Sequence, residues 1–306
     1  MNTAPSASLP VLVPRQALPQ AACHAGLEPI PYDVGCPMPS AAVAARALLS
    51  LVRTPQEFQA ELASAPALEY VQVVTAGFDG LPQRLPAGVG LGTARGANGQ
   101  IVAELALGLL IASLRCFAEA GREGRRGRLA RPMGQSVFGS VIVVLGAGDL
   151  AVQFRSRALA CGATVHLVGR TARAGVHGID QAPDLITEAD AVVVMVPLDS
   201  TTRGLVDQEF LARMKDGAVL VNVGRGPVVS TPALVAELRR GRLRAALDVT
   251  DPEPLPGDHE LWDLPGVIIT PHIGGSVRGF FDRAYAVCLD QLAQFARGQR
   301  PSNRVI

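Results

Sequence analysis

The sequence predicts an α/β protein of two domains, each a parallel sheet covered by helices. Three observations lead to this. Short continuous Val/Ile/Leu runs recur along the chain, as in strands buried on both faces. Helical patterns stand between several of them, the alternation that builds parallel sheets. The length of 306 residues exceeds one average domain and suits two.

In order, LPVLVP (9–14) reads as a strand, and AAVAARALLS (41–50) as a helix or a helix joined to a strand. TPQEFQAELASA (54–65) reads as a helix capped by its Thr, and EYVQVVTAG (69–77) as a strand. Prolines and glycines then cluster over residues 81–99, the signal of a domain edge, before a strong helix begins near Gln100. From Ser140 the pattern is strand–helix–strand: SVIVVLG, a helix from Asp149 to Ala160, and TVHLVG. AVVVMVP, AVLVNVG, RAALDV and GVIITP are further buried strands, with DQEFLARM and TPALVAELRRG as helices between. A last helix spans roughly Gly279 to Ala296.

Composition narrows the function classes. Formal net charge is +1, so there is no strong field for nucleic acid or a membrane surface. GREGRRGRLARPMG (121–134) is arginine-rich but lacks the interleaved aromatics that stack bases, and reads as a solvated loop or frayed helix end. The N-terminus has no basic n-region and its apolar run is broken by prolines, so no signal peptide is read there. LALGLLIASL (105–114) is too short to span a bilayer and reads as a buried helix and a candidate dimer surface. The five cysteines form no CxxC pair, which suggests free, mostly buried thiols in a reducing cytoplasm. His24, His166, His177 and His259 have no metal-ligand spacing, and no metal is expected.

VIVVLGAGDLA (141–151) follows a strand, opens a helix and leads into a second strand. This is the context in which a glycine pattern binds a dinucleotide. Gly146 permits the tight turn. Gly148 lets backbone approach a pyrophosphate, which would sit on the N–H groups that open the helix at Asp149 and Leu150. Asp149 carries a charge of the wrong sign for that neighbour, unless it points outward. The second strand ends at Gly169, where NAD-binding proteins carry an Asp or Glu for the ribose hydroxyls. Arg170 follows, Arg173 is near, and no carboxylate is present to repel a 2′-phosphate. NADP(H) is therefore favoured over NAD(H).

Three side chains suited to redox chemistry on a hydroxy acid follow strands in the second half: Arg225 in VNVGRGPVVS, Glu253 in LDVTDPEPLP and His272 in ITPHIGG. The C-terminal edge of an open α/β sheet is where ligands bind. With these motifs in this order, the chain resembles the D-isomer-specific 2-hydroxyacid dehydrogenases. The likeness runs from VQVVTAGFDG through GANGQIVAELALGLLIASLR, the glycine loop, VPLDSTTRGLVDQEFLARMKDGAVLVNVGRG, AALDVTDPEP and TPHIGG to the closing NRV. The first ninety residues match only loosely.

The resemblance implies a Rossmann-type nucleotide-binding domain over residues 94–277. It would be inserted into a smaller flavodoxin-like α/β substrate domain of residues 1–93 and 278–306. It implies that Arg225 holds the substrate carboxylate and reacting oxygen, that His272 is the acid/base, and that Glu253 orients His272. Asp248 would bind the nicotinamide carboxamide, with Pro197, Thr202, Val223 and Gly274 as further cofactor contacts. Backbone N–H groups around Ala76 and Gly77 would hold the substrate carboxylate. The implied activity is interconversion of a small 2-keto acid, such as glyoxylate or hydroxypyruvate, with its D-2-hydroxy acid in a cytoplasmic homodimer. Glu253 stands where formate-type relatives carry Gln, which argues against formate oxidation. The alternative is a dinucleotide-sensing regulatory protein on the same fold. Ala151 stands at the third glycine position, and Gly99 where relatives often carry a cofactor-binding Thr.

Overall fold

The computed structural model describes residues 8–52, 54–127 and 132–306. The first seven residues and part of the arginine-rich stretch, 128–131, lie outside the described residues. The chain divides into two compact units, 1–98 with 277–306 and 99–276.

The first unit is built on β1 (Leu9–Pro14), β2 (Leu27–Tyr32), β3 (Ala47–Ser50), β4 (Tyr70–Val73) and β5 (Gly90–Gly92). All neighbours pair parallel, in the order β2-β1-β3-β4-β5, which is the flavodoxin-like arrangement. Short α1 (Leu18–Ala21), α2 (Pro55–Ala63) and the C-terminal α9 (Phe280–Ala296) complete it. Two apolar layers form on the two faces of the sheet. One joins Val11, Val13, Leu49 and Tyr70 to Tyr285, Leu289 and Leu292 of α9. The other joins Leu12, Leu48 and Val71 to Phe58 and Leu62 of α2. Thr54 caps α2, its hydroxyl accepting from the Glu57 N–H at 3.1 Å.

The sequence reading missed β2 and β5. β2 is the edge strand LEPIPY, whose two prolines it tolerates because only one side of an edge must pair. β5 is the three-residue GLG inside the Gly/Pro cluster. A Cβ on Gly92 would overlap Tyr70 and Gln72, so glycine there reflects close packing rather than a loop. Just past β3, at the point where strand order reverses, Val52 has φ 47. A β-branched residue in that region is strained, and its N–H is held by the Ser50 hydroxyl at 3.1 Å.

The second unit carries α3 (Gly99–Leu114), α4 (Phe117–Arg125), β6 (Val141–Leu145), α5 (Asp149–Ala160), β7 (Thr164–Gly169) and β8 (His177–Gly178). It continues with α6 (Ala182–Leu185), β9 (Ala191–Val194), α7 (Gln208–Arg213), β10 (Val219–Asn222), α8 (Thr231–Arg239), β11 (Arg244–Leu247) and β12 (Val267–Ile269). The seven strands are parallel in the order β12-β11-β10-β9-β6-β7-β8, the Rossmann-type arrangement with its reversal between β6 and β9. Their inner residues are almost wholly buried, which explains the uninterrupted apolar runs.

The helix containing LALGLLIASL is buried or half-buried along 105–114 except at Gly108. The arginine-rich stretch begins as the exposed end of α4, which runs to Arg125. One expectation is corrected. The cysteines are not mostly buried. Cys116 and Cys288 are, but Cys23, Cys36 and Cys161 are exposed because they sit in turns or at a helix end. Among the described residues no single helix is long and apolar enough to cross a membrane.

Candidate active site

The glycine loop lies at the reversal point of the second sheet, where β6 gives way to α5. Gly146 has φ 136, a conformation closed to side chains, and its N–H is held by Val168 O at 2.8 Å. A Cβ there would lie 3.0 Å from Met195 O. Gly148 is the N-cap of α5, and nothing lies within 4 Å of the place its Cβ would take. The open space therefore faces the unpaired N–H groups that begin α5 at Asp149 and Leu150. That cradle fits a dinucleotide pyrophosphate, which needs close backbone approach and N–H donors. Ala151 is 1% exposed and packs into the core.

The end of β7 explains its missing carboxylate. Arg173 donates from Nη2 to Ala147 O in the glycine loop at 3.0 Å. A Cβ on Gly169 would come within 3.2 Å of the Arg173 Nη1, so glycine clears the space for that guanidinium. Arg170 is also at this edge, with 75% of its side chain exposed. One premise of the sequence reading is corrected here. A carboxylate does stand beside Arg170: Asp199, from the loop after β9, whose Oδ2 is 3.2 Å from Arg170 Nη2. Asp199 is fixed by its own turn. Its Oδ1 accepts from the Thr201 hydroxyl at 2.6 Å, the Thr201 N–H at 2.8 Å and the Thr202 N–H at 3.1 Å. The Thr201 hydroxyl contributes most to holding this carboxyl below the usual range. Sequence reading missed Asp199 because its partner is 29 positions away. The Asp-x-Thr-Thr turn was the available signal.

Pro197 and Thr202 belong to the same loop. The Thr202 hydroxyl donates to Pro197 O at 2.7 Å and accepts from the Asp199 N–H at 2.8 Å, which braces the loop. Val223, just past β10, is 6% exposed and packed in the core.

Arg225, Glu253 and His272 follow the adjacent strands β10, β11 and β12 on one edge of the sheet. His272 Nδ1 lies 2.6 Å from Glu253 Oε1, and both side chains are about half exposed. His272 has φ 52, which tertiary contacts must impose. The nearly buried Asp248 supplies them: its carbonyl accepts the His272 N–H at 2.9 Å. Its carboxylate accepts the Thr270 hydroxyl at 2.6 Å, the Ile273 N–H at 2.9 Å and the Gly274 N–H at 3.0 Å. Asp248 thus clamps the loop on both sides of the imidazole. Gly274 closes that loop, since a Cβ would lie 3.1 Å from Asp248 Oδ2.

Arg225 is half-buried, with Nη1 donating to Gly224 O at 2.7 Å. Its backbone carbonyl accepts from Asn222 Nδ2 at 3.0 Å, and Asn222 Oδ1 accepts the Gly224 N–H at 3.0 Å. A Cβ on Gly226 would overlap Thr250 O, so this turn is seated directly against the backbone leading to Glu253. Gly226 and Asn222 are positioning residues that the sequence reading did not single out. Trp262 closes the loop beyond Glu253, donating from Nε1 to Pro256 O at 2.8 Å. In the first unit, Ala76 and Gly77 lie just past β4, where Gly77 O accepts the Thr75 hydroxyl at 2.7 Å. Among the described residues no His, Cys, Asp and Glu side chains group in a way that could hold a metal ion.

Comparison with known proteins identifies the family. The NAD-binding domain of the D-isomer specific 2-hydroxyacid dehydrogenases matches residues 107–274. A glyoxylate reductase of Korarchaeum cryptofilum is 30% identical over 273 residues, covering 85% of this chain and 82% of that protein. A D-3-phosphoglycerate dehydrogenase of Mycobacterium leprae is 36% identical over 253 residues, 76% of this chain. The match spans only 46% of that longer protein. A D-isomer specific 2-hydroxyacid dehydrogenase of Xanthobacter autotrophicus, solved with NADPH and MES, superposes with a TM-score of 0.84. It is 29% identical and 98% of each chain is covered. The chain belongs to the D-isomer specific 2-hydroxyacid dehydrogenases, oxidoreductases that act on CH–OH donors with a nicotinamide dinucleotide.

Proposed function

We propose that the protein reduces a small 2-keto acid of the glyoxylate or hydroxypyruvate type to its D-2-hydroxy acid with NADPH. The Nδ1–Oε1 contact between His272 and Glu253 carries this reading. It holds the imidazole in one orientation and directs Nε2 as the proton donor, or the acceptor in the reverse direction. The nicotinamide supplies or takes the hydride when bound. Arg225 polarises the ketone oxygen and pairs with the carboxylate, which a planar guanidinium does in one geometry. The N–H groups of Ala76 and Gly77 are the carboxylate donors of the first unit. The glycine loop takes the pyrophosphate through the N–H groups of Asp149 and Leu150. Loops carrying Pro197, Thr202, Val223, Asp248 and Gly274 shape the nicotinamide side. The MES in the Xanthobacter structure is a buffer and adds nothing to the choice of substrate.

Preference for NADP(H) over NAD(H) rests on Arg173 at the end of β7, with Arg170 beside it, and on Gly169 in place of an acid. Oxidation of NADPH and NADH, each with hydroxypyruvate and with glyoxylate, tests the whole reading. Faster turnover with NADPH is expected, and Arg173→Ala should reduce that preference by about tenfold through a lost charge-assisted contact. Equal or faster turnover with NADH would remove the cofactor assignment and keep the enzyme. Tight dinucleotide binding without turnover on any keto acid would favour the sensor.

The protein is further proposed to act in the cytoplasm as a homodimer. Phe117, Met133, Phe138, Val152 and Leu159 of the second unit are 58%, 95%, 78%, 51% and 47% exposed. A contiguous exposed apolar patch marks an association surface, and these side chains are its proposed members. Light scattering should give twice the chain mass of 31.9 kDa. Phe138→Asp combined with Met133→Asp should return a monomer, and a monomeric wild type would overturn the proposal.

A further inference from the structure

Two departures from the family pattern, Asp149 in the glycine loop and Gly99 at the start of α3, prove to be neighbours. Asp149 is the first residue of α5 and Gly99 the first residue of α3, and the two helices pack together. A Cβ built on Gly99 would overlap the Asp149 carboxylate, which fills the space any side chain at 99 would need. By contrast, the space in front of Gly148 is open. The carboxylate therefore leans toward the start of α3, away from the cradle. There it meets the positive ends of two helices, its own and α3.

We propose that Gly99 and Asp149 act as a pair that positions this carboxylate clear of the dinucleotide pyrophosphate. Neither residue touches the cofactor through its side chain; both are positioning residues. Gly99 provides the room, and Asp149 uses it. This rests on the reading of the glycine loop as the pyrophosphate site. A side chain at 99 would push the Asp149 carboxylate back over the loop. There it would face phosphate charges of the same sign.

The test is a double-mutant cycle read by calorimetric titration with NADPH and NADH, with thermal melting in parallel. Gly99→Thr should raise the dinucleotide Kd about tenfold, the scale of a like-charge contact at a few ångströms screened nearly as in bulk water. In an Asp149→Ala background the same Gly99→Thr change should leave Kd unchanged or lower it, because the displaced charge is gone and the hydroxyl stands where relatives often carry a cofactor-binding Thr. The melting temperature lost in Gly99→Thr should be recovered in the double variant. Gly99→Ala, which adds a smaller group to the same overlap, serves in place of Thr if that variant does not fold. Equal loss of affinity whichever residue stands at 149 would overturn the pairing and leave glycine as a plain helix-start residue. If the wild type binds neither NADPH nor NADH, the dinucleotide reading of the loop fails first, and the cofactor role of the pair with it.

Discussion

His272→Ala is expected to lower kcat for keto-acid reduction by ~10²–10⁴-fold while dinucleotide Kd stays within about twofold of wild type. The magnitude is that of a positioned general acid. Without it, the alkoxide formed at the substrate oxygen must take its proton from water. The separation from binding follows from where the groups sit. His272 follows β12 at one end of the sheet order, while the glycine loop follows β6 near its middle. Single-turnover assays with parallel cofactor titration check it. Glu253→Gln keeps a side chain of the same size next to Nδ1 and should give a smaller loss, because it weakens the orienting contact without removing the imidazole. Retained turnover in His272→Ala would sink the acid/base assignment.

Arg225→Met is expected to lower kcat/KM by ~10²–10³-fold, with both KM and kcat affected. The guanidinium is asked to do two things: bind the ground-state carboxylate, and stabilise charge as the ketone oxygen gains it. Losing the first raises KM, and losing the second lowers kcat. Arg225→Lys should recover part of KM and little of kcat, since an ammonium keeps the charge but not the fork of donors. Steady-state kinetics of both variants separate the two contributions. A change confined to KM would reduce Arg225 to a binding residue.

Much of the candidate site was legible in the order of short motifs. The glycine loop, Arg225, Glu253 and His272 each follow a strongly apolar run within a few residues, so sequence alone placed them on the strand-end edge of a parallel sheet. Features that depend on partners far along the chain were not legible. Asp199 beside Arg170 is one, because local sequence around β7 contains no carboxylate. The clamp by Asp248 is another. A single buried carboxylate gathers a hydroxyl and two N–H groups from the segment 270–274, and the positive φ of His272 depends on it. Nothing in ITPHIGG announces that conformation. β2 and β5 were missed because edge position tolerated proline and close packing required glycine, both of which read as loop.

The amino-acid sequence determined the class of fold, the glycine loop and the candidate catalytic side chains, because periodicity and motif order are local properties that survive without coordinates. The tertiary structure decided what those side chains face: Glu253 on the imidazole, Asp199 on Arg170, Arg173 across the end of β7, and Asp149 in the space that Gly99 leaves. Hydrogen bonds and steric overlap act over a few ångströms. Only folding brings residues dozens of positions apart within that range.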